Sequence, residues 1–569
     1  MPVQTGAHSR RRRLRVCTAC DACYRRKIKC DAVEPRCNWC SHHDTPCTYS
    51  RYHRTSKNAN STQGINSSAE TQPFNSSHYG LQTHRPVFRL NHISTFNGLP
   101  FFSSSGQQWI EKQTGVANNF HEYYASGPPW QAKPGFRAQT KHGSTDGRRI
   151  IGLPARPVLN RLLHTVASVE FVLAAFLIDQ KLFESTIRAA FHGQLSQTSP
   201  GPVSARACIL AFTALVLEMV PDRDFAVDGV SDDYALEALA LLPEVFAESV
   251  TVDGLQALLM LAIHCELSWG DIYILNMLIS SAARFIFQFG GNIRPTTTTF
   301  QSPSRVDLHV RNLFWICFLV DKEVCLRTGS PPCLVDTHCD LTVPDGLFLA
   351  KSLDEALLYF SAMTRLSIIQ GQIFDRLYSA RALQQNEAEL LGTIRVLDMQ
   401  LEDWRTSLPA SIRPSLSPSP PTGNHLADKH MTIFQVQWHY CMMTIHQASC
   451  RCITWMETRE THIDGLNSSL TISVQAARSL LREFGDSPLR FEQDTIRYSL
   501  FHISSAVITL FCNVLLRPLN PDSVDDVVLI ERLRGRFKEH APKSTMIEPF
   551  IEQLGDLARC AVVKANASV

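Results

Sequence analysis

The sequence predicts a chain in three parts: a small metal-stabilised N-terminal cluster domain with short helices, a disordered linker, and a large all-α domain. Three observations carry this expectation. Six cysteines crowd between Cys20 and Cys47 at regular spacing. Residues 51–150 are rich in Ser, Asn, Gln, Thr, Gly and His and lack sustained apolar periodicity. From about residue 151 apolar residues recur at helical spacing and hairpin signals are scarce. The 569 residues leave room for several domains, and 44% hydrophobic content supports a sizeable core.

Charge is unevenly spread. Residues 1–54 hold twelve Lys or Arg against four Asp or Glu, a net +8, whereas the whole chain carries only +2. A basic head on a mildly acidic body points to nucleic acid at one end. Residues 1–16 form a basic arm in which Arg10, Arg11, Arg12, Arg13 and Arg15 can neutralise phosphates. The same run suits nuclear import.

The cysteine domain spans 17–50. Cys20, Cys23, Cys30, Cys37, Cys40 and Cys47 stand at C-x2-C-x6-C-x6-C-x2-C-x6-C, two matching halves. Structural zinc takes four ligands in a tetrahedron. Two zinc ions need eight ligand positions, so two of the six thiolates must bridge. Cys20 and Cys37, the first of each half, are the natural choice. Cys17 offers a rival register that breaks the symmetry of the halves and is taken as a spare thiol. His42 and His43 are ligands by chemistry alone; six cysteines already fill both metals. A disulfide framework would need a secreted protein, yet residues 10–15 read Arg-Arg-Arg-Arg-Leu-Arg where a signal peptide would be apolar. The other eleven cysteines lie in apolar stretches, as reduced buried thiols do.

Between Cys23 and Cys30 runs Tyr-Arg-Arg-Lys-Ile-Lys, four positive charges in six residues. This is length for about two helical turns. A short basic helix on a rigid cluster suits the major groove of double-stranded DNA. Ala19-Cys20-Asp21-Ala22-Cys23, Arg25-Arg26-Lys27-Ile28-Lys29-Cys30-Asp31, Pro35, Cys37, Cys40 and Cys47 together resemble the DNA-binding domain of fungal zinc binuclear cluster transcription factors. The resemblance implies that Arg26 and Lys27 read a CGG triplet and that Pro35 sets the loop between the halves. Arg25, Lys29 and the N-terminal arginines then hold phosphates. Tyr24 departs from the arginine that the family commonly has there.

In the linker no heptad seam appears: Leu81, Leu90 and Leu99 are nine apart. Monomeric DNA binding and homodimerisation through the later domain both stay open. Phe96, Phe101, Phe102 and Trp109 are read as chance hydrophobics or a docking group.

Helices are expected over 161–191 (one or two), 205–220 and 251–264, the last with Thr251 or Asp253 as N-cap. The next runs over 272–289 and stops at Gly290-Gly291. Others follow over 305–325, 353–378 and 386–408, a Pro/Ser-rich loop at 409–421, then 426–457, 470–484, 494–516 and 527 to the end. The stretch from Tyr498 to Leu516 is uncharged over nineteen residues, but His502, Ser504, Ser505, Thr509 and Asn513 dilute it. A core helix is the reading, with no membrane partner. His439, Cys441, His446, Cys450 and Cys452 follow no ligand spacing and are read as core.

Leu255-Gln256-Ala257-Leu258-Leu259, Ala282-Ala283-Arg284, Arg311-Asn312-Leu313-Phe314-Trp315 with Asp321, and Arg327-Thr328-Gly329-Ser330-Pro331-Pro332 resemble the fungal-specific transcription factor domain. Asp336, Asp340, Pro344-Asp345, Leu401 with Trp404, and Leu408-Pro409 continue the likeness. It implies a helical regulatory domain over 151–420 with a continuation over 421–569. Asp321 and Arg327 are read as an internal ion pair or cap. The segment from Asp522 to Glu531 is read either as an activation segment or as an ordinary helix start.

No G-x-S-x-G elbow, P-loop, dinucleotide glycine motif or H-E-x-x-H occurs, so no enzyme is expected. The expectation is a nuclear, sequence-specific regulator of RNA polymerase II transcription that contacts the transcription machinery. Control of a biosynthetic gene cluster, a homodimer and a small-molecule effector are further readings. The rival is a metabolite-binding sensor whose helical domain carries the main activity.

Overall fold

The computed structural model describes residues 20–26, 30, 37–43, 45–47, 93–96, 99–102, 104–118, 120, 151–168, 176–192, 201–220, 225–295, 302–343, 354–417, 425–452, 464–486, 493–540 and 546–567. The chain divides into two compact units, residues 1–74 and 75–569.

The first unit holds two five-residue helices, α1 (Asp21–Arg25) and α2 (Asn38–His42). Its core consists of Cys20, Ala22, Cys23, Cys37 and Cys40, with Cys30, Trp39 and Cys47 packed around it. The helix expected between Cys23 and Cys30 starts earlier, at Asp21; residues 27–29 lie outside the described residues. The reason is capping: the Cys20 sulfur accepts from the Cys23 backbone N–H at 3.5 Å, which fixes the helix start ahead of Cys23.

The second unit opens with a hairpin of β1 (Ile93–Phe96) and β2 (Leu99–Phe102), antiparallel, with Ile93 opposite Phe102 and Phe96 opposite Leu99. Then comes α3 (Ser104–Thr114). These elements fall inside the stretch read from sequence as linker. Helix α3 and the residue Phe120 after it are covered: Ile110 and Phe120 are buried in the main core and Trp109 packs against it. No local periodicity announces that, since the partners, α15 and α17 below, lie hundreds of residues away.

The body is helical: α4 (Arg156–Ser168), α5 (Gln180–His192), α6 (Pro202–Met219), α7 (Ser231–Ala247), α8 (Val252–His264), α9 (Ile272–Phe289), α10 (Arg305–Thr328), α11 (Asp354–Ile373), α12 (Glu387–Ser407), α13 (His425–Gln447), α14 (Asp464–Asp486), α15 (Gln493–Leu516), α16 (Pro521–His540) and α17 (Ile547–Asn566). Thr251 caps α8 by accepting from the Gly254 N–H at 2.9 Å. Asp253 is buried and accepts from Thr186 Oγ1 at 2.7 Å. Gly290 (φ 68°) and Gly329 (φ 66°) end α9 and α10 in the left-handed region where a Cβ is unwelcome. Sequence reading missed α7; Val230 and Pro243 blur its start and interior, while Tyr234, Ala235, Ala238, Leu239 and Leu242 give it a buried face against α6.

Helix α10 is the spine. Ser304 and Asp307 form a reciprocal capping box at its start. Arg311 donates to the carbonyls of Gly291 (3.0 Å) and Asp340 and lies 4.3 Å over the Phe314 ring. Asp321 accepts from the backbone N–H groups of Cys333 (2.9 Å) and Leu334 (3.0 Å), so it is a loop cap. Lys322, 1% exposed, adds bonds to the Leu334 carbonyl (2.7 Å) and Asp336 (2.6 Å). These two residues pin the Gly329–Pro332 turn to the helix. Arg327 pairs elsewhere, with Glu266 and Glu323.

Three helices are long and apolar enough to cross a membrane by length and composition, Pro202–Met219, Ile272–Phe289 and Thr495–Leu516; 72%, 44% and 89% of their windows are buried in the fold. Asp522–Glu531 lies in α16, where Asp526, Val527, Leu529 and Ile530 are buried and Arg478 holds Asp526 at 2.6 Å. The segment is therefore helical, with one face buried in the body and Val524 and Val528 exposed on the other. Eight of the body's cysteines are buried and Cys333, Cys339 and Cys560 are half-buried. Burial pushes the Cys441 thiol up to about 12, as for an inert core residue.

Candidate metal centre and nucleic-acid interface

The six sulfurs converge. Cys20, Cys23, Cys30 and Cys37 form one group and Cys20, Cys37, Cys40 and Cys47 a second, each with its sulfurs within 4.8 Å of one another. Cys20 and Cys37 belong to both. Measured edges are 3.8 Å (Cys20–Cys37), 3.6 Å (Cys20–Cys40) and 3.7 Å (Cys23–Cys37). A tetrahedron with Zn–S bonds of about 2.3 Å has edges of about 3.8 Å. The donor set therefore fits two tetrahedral thiolate sites.

Both halves are built alike. As Cys20 does for α1, Cys37 caps α2, accepting from the Cys40 N–H at 3.5 Å. The C-x2-C spacing thus does two jobs: it places two sulfurs on one metal and lets the first cap the turn that carries the second. Burial raises the Cys20 thiol, but hydrogen bonds from the Cys23 backbone and from the Cys23, Cys40 and Cys37 side chains outweigh it and bring it down to about 6. Burial first, then neighbouring thiols, push Cys40 up to about 12 and raise Cys23; burial also raises Cys37, against hydrogen bonds from Cys40 and Cys23 that lower it. Zinc takes cysteines as thiolates, so metal binding displaces the protons that burial holds on Cys23, Cys37 and Cys40.

Arg25 and Arg26 are exposed at the end of α1. Arg25 Nε donates to the Asp21 carbonyl at 3.4 Å. The Arg26 guanidinium lies 4.6 Å from the centre of the Trp39 ring, and Trp39 packs 4.4 Å from the His43 ring. Trp39 was not singled out from sequence; an aromatic inside the second C-x2-C pair, next to a basic helix, is the signal that could have found it. His42 and His43 are exposed. Cys17, Lys27, Lys29, Pro35 and the arginines Arg10, Arg11, Arg12 and Arg13 lie outside the described residues.

The second cysteine and histidine group does not converge. His439 Nδ1 bonds the Gln435 carbonyl (2.7 Å) and His446 bonds Ser469 (2.9 Å) and Asp398 (3.2 Å). Among the described residues only the N-terminal cysteines gather three or more donors at metal-binding range.

Fold and site define a thiolate metal cluster beside a basic helix, with a separate helical body: the class of metal-organised DNA-binding regulators. Comparison with known families agrees. Residues 18–56 match the fungal Zn(2)-Cys(6) binuclear cluster domain, and residues 176–406 match the fungal specific transcription factor domain. The chain thus carries the cluster domain and the helical domain that fungal zinc binuclear cluster transcription factors combine, which supports a DNA-binding transcriptional regulator whose cluster domain binds two zinc ions. It is similar to an ABC-transporter-regulating transcription factor of Aspergillus fumigatus, 23% identical over 91% of this chain and 70% of that protein. A protein of the same description from Aspergillus oryzae is 27% identical over 52% of this chain and 34% of its own length. The Fusaridione A cluster transcription factor of Fusarium heterosporum is 24% identical over 59% of this chain and 64% of its own length.

Proposed function

We propose that this chain reads CGG-type sites in double-stranded DNA through the basic turn held by its metal cluster. In this reading Cys20 and Cys37 bridge two zinc ions, Cys23 and Cys30 complete one site, and Cys40 and Cys47 complete the other. Arg26 and Lys27 donate to guanine O6 and N7, the acceptors best suited to cationic side chains. Arg25, Lys29 and the arm Arg10–Arg13 hold phosphates and set orientation rather than sequence. The observation that carries the proposal is the sharing of Cys20 and Cys37 by two sulfur tetrahedra, with exposed Arg25 and Arg26 on the helix those sulfurs start.

The cluster domain spans 17–50, and the body acts as the regulatory part over 151–420 with its continuation over 421–569. The protein works in the nucleus on RNA polymerase II genes, contacts the transcription machinery, and has no catalytic activity. A biosynthetic gene cluster as target is supported by the Fusarium relative's name, and transporter genes by the names of the Aspergillus relatives. Homodimerisation would come from the body. Selection of bound sequences from a random DNA pool, using the full chain with zinc content measured alongside, tests the reading. Single CGG-like triplets indicate a monomeric reader and paired triplets at fixed spacing a dimer. Selection of no sequence rejects it.

A second reading, a sensor whose body binds a small effector, is favoured by a cavity in that body.

A further inference from the structure

Within the helical body a cavity of about 160 Å³ lies between α6, α8, α9, α10, α11, α13 and α15. Its apolar wall includes Leu215, Met219, Leu319, Met363 and Ile433. An apolar cavity of about 150 Å³ in another protein stays dry and takes up a benzene-sized molecule.

One wall is polar. Arg327 Nη1 donates to Glu266 Oε1 at 2.6 Å and lies 3.4 Å from Glu323 Oε1. Gln437 Nε2 donates to the same Glu323 oxygen at 2.9 Å and also bonds the Tyr498 hydroxyl. Burial works against the Arg327 charge, but Glu266 and Glu323 outweigh it and hold its pKa above the usual value; burial raises that of Glu323. The cluster is nevertheless incomplete. Arg327 is 3% exposed, yet its Nε has no hydrogen-bond partner, nor does the buried Glu266 Oε2. Glu266 sits in the π-helical turn Cys265–Trp269 that follows α8, a backbone irregularity frequent at functional sites.

We propose that this cavity is a ligand site for a small, neutral molecule of single-ring size. The apolar wall and volume set the ring. The charges set neutrality: Glu266 and Glu323 are balanced by Arg327 and by Lys429, which also lines the cavity. Mostly apolar pockets with a few convergent polar groups are the usual form of small-molecule sites. The site deepens the effector reading above and rests on it.

The probe is toluene, titrated calorimetrically into the zinc-loaded full chain, with benzoate and benzylammonium as charged comparators and DNA affinity measured on the same samples. The expected result is saturable binding of toluene at one per chain, weakened at least about tenfold in either charged comparator. Leu319→Trp, which fills the cavity, should abolish binding without changing DNA affinity; Met363→Trp serves if the first variant melts early. No heat up to the solubility limit, equal affinity for a charged comparator, or binding that survives both tryptophan variants overturns the proposal. Lost DNA selection with intact toluene binding would instead reject the DNA reading alone.

Discussion

The two units are held together by opposite means. Among its described residues the cluster unit has helices of five residues and an apolar core made of little more than cysteines and Ala22. Domains this small lack area for a sufficient hydrophobic core and rely on metals or cross-links. The body needs no such aid: α8 alone buries Leu255, Leu258, Leu259 and Leu261 completely, and α10 buries Phe314, Trp315 and Phe318. Free energy of metal binding is therefore folding free energy in the first unit, whereas packing is folding free energy in the second. The lesson is that one chain can lose its DNA reader without losing its fold.

The largest expected effect separates the two. Stripping zinc with a strong chelator should abolish specific DNA binding while the body's helical circular dichroism and melting temperature stay unchanged. Joint melting of both units would break the comparison.

Next is the body's own weak point. Arg327→Met leaves Glu266 and Glu323 buried without their cation, and breaking a buried pair costs about 3–5 kcal/mol. Urea unfolding should show the loss in the body, with zinc content unaffected. A change below about 1 kcal/mol would mean that water reaches the cluster freely.

Acid should act on the body as well. Burial pulls His309, His430 and His439 down to about 4. Unfolded histidine titrates near pH 6.5, so the unfolded state takes up protons first as pH falls. Stability is then full above about pH 6.5 and declines toward pH 4. Urea midpoints measured across that range should fall, and His439→Gln should flatten the curve. A midpoint that rises on acidification contradicts the burial argument.

The smallest effects lie at the DNA face. Lys27→Ala should lower specific affinity by about 1–3 kcal/mol and relax sequence preference, whereas removing Arg10–Arg13 should weaken all sequences alike and flatten the salt dependence. Trp39→Leu, which removes the ring under Arg26, should cost about 0.5–1 kcal/mol at the specific site. Equal losses on CGG and scrambled DNA would make Lys27 a phosphate contact.

Much of this was legible in the sequence where the physics is local. The six-cysteine spacing, the Thr251 cap and the glycine stops at Gly290 and Gly329 are short-range signals, and the structure places all of them in their expected elements. What escaped is long-range. Glu266 meets Arg327 across 61 residues, and Ile110 is buried by helices from the far end of the chain. Asp321 and Arg327 are close in sequence, yet each serves a different neighbour. The start of α1 shows a local rule, sulfur capping, that sets the helix going at Asp21, ahead of the basic run.

The most direct test of the account is the zinc content of Cys20→Ser beside that of Cys47→Ser in the full chain, with DNA selection measured on both. Sharing of Cys20 by the two sulfur groups predicts that Cys20→Ser disturbs both metals and abolishes selection, while Cys47→Ser affects one site first. Two zinc ions and intact CGG selection in Cys20→Ser would contradict the shared cluster on which the account rests.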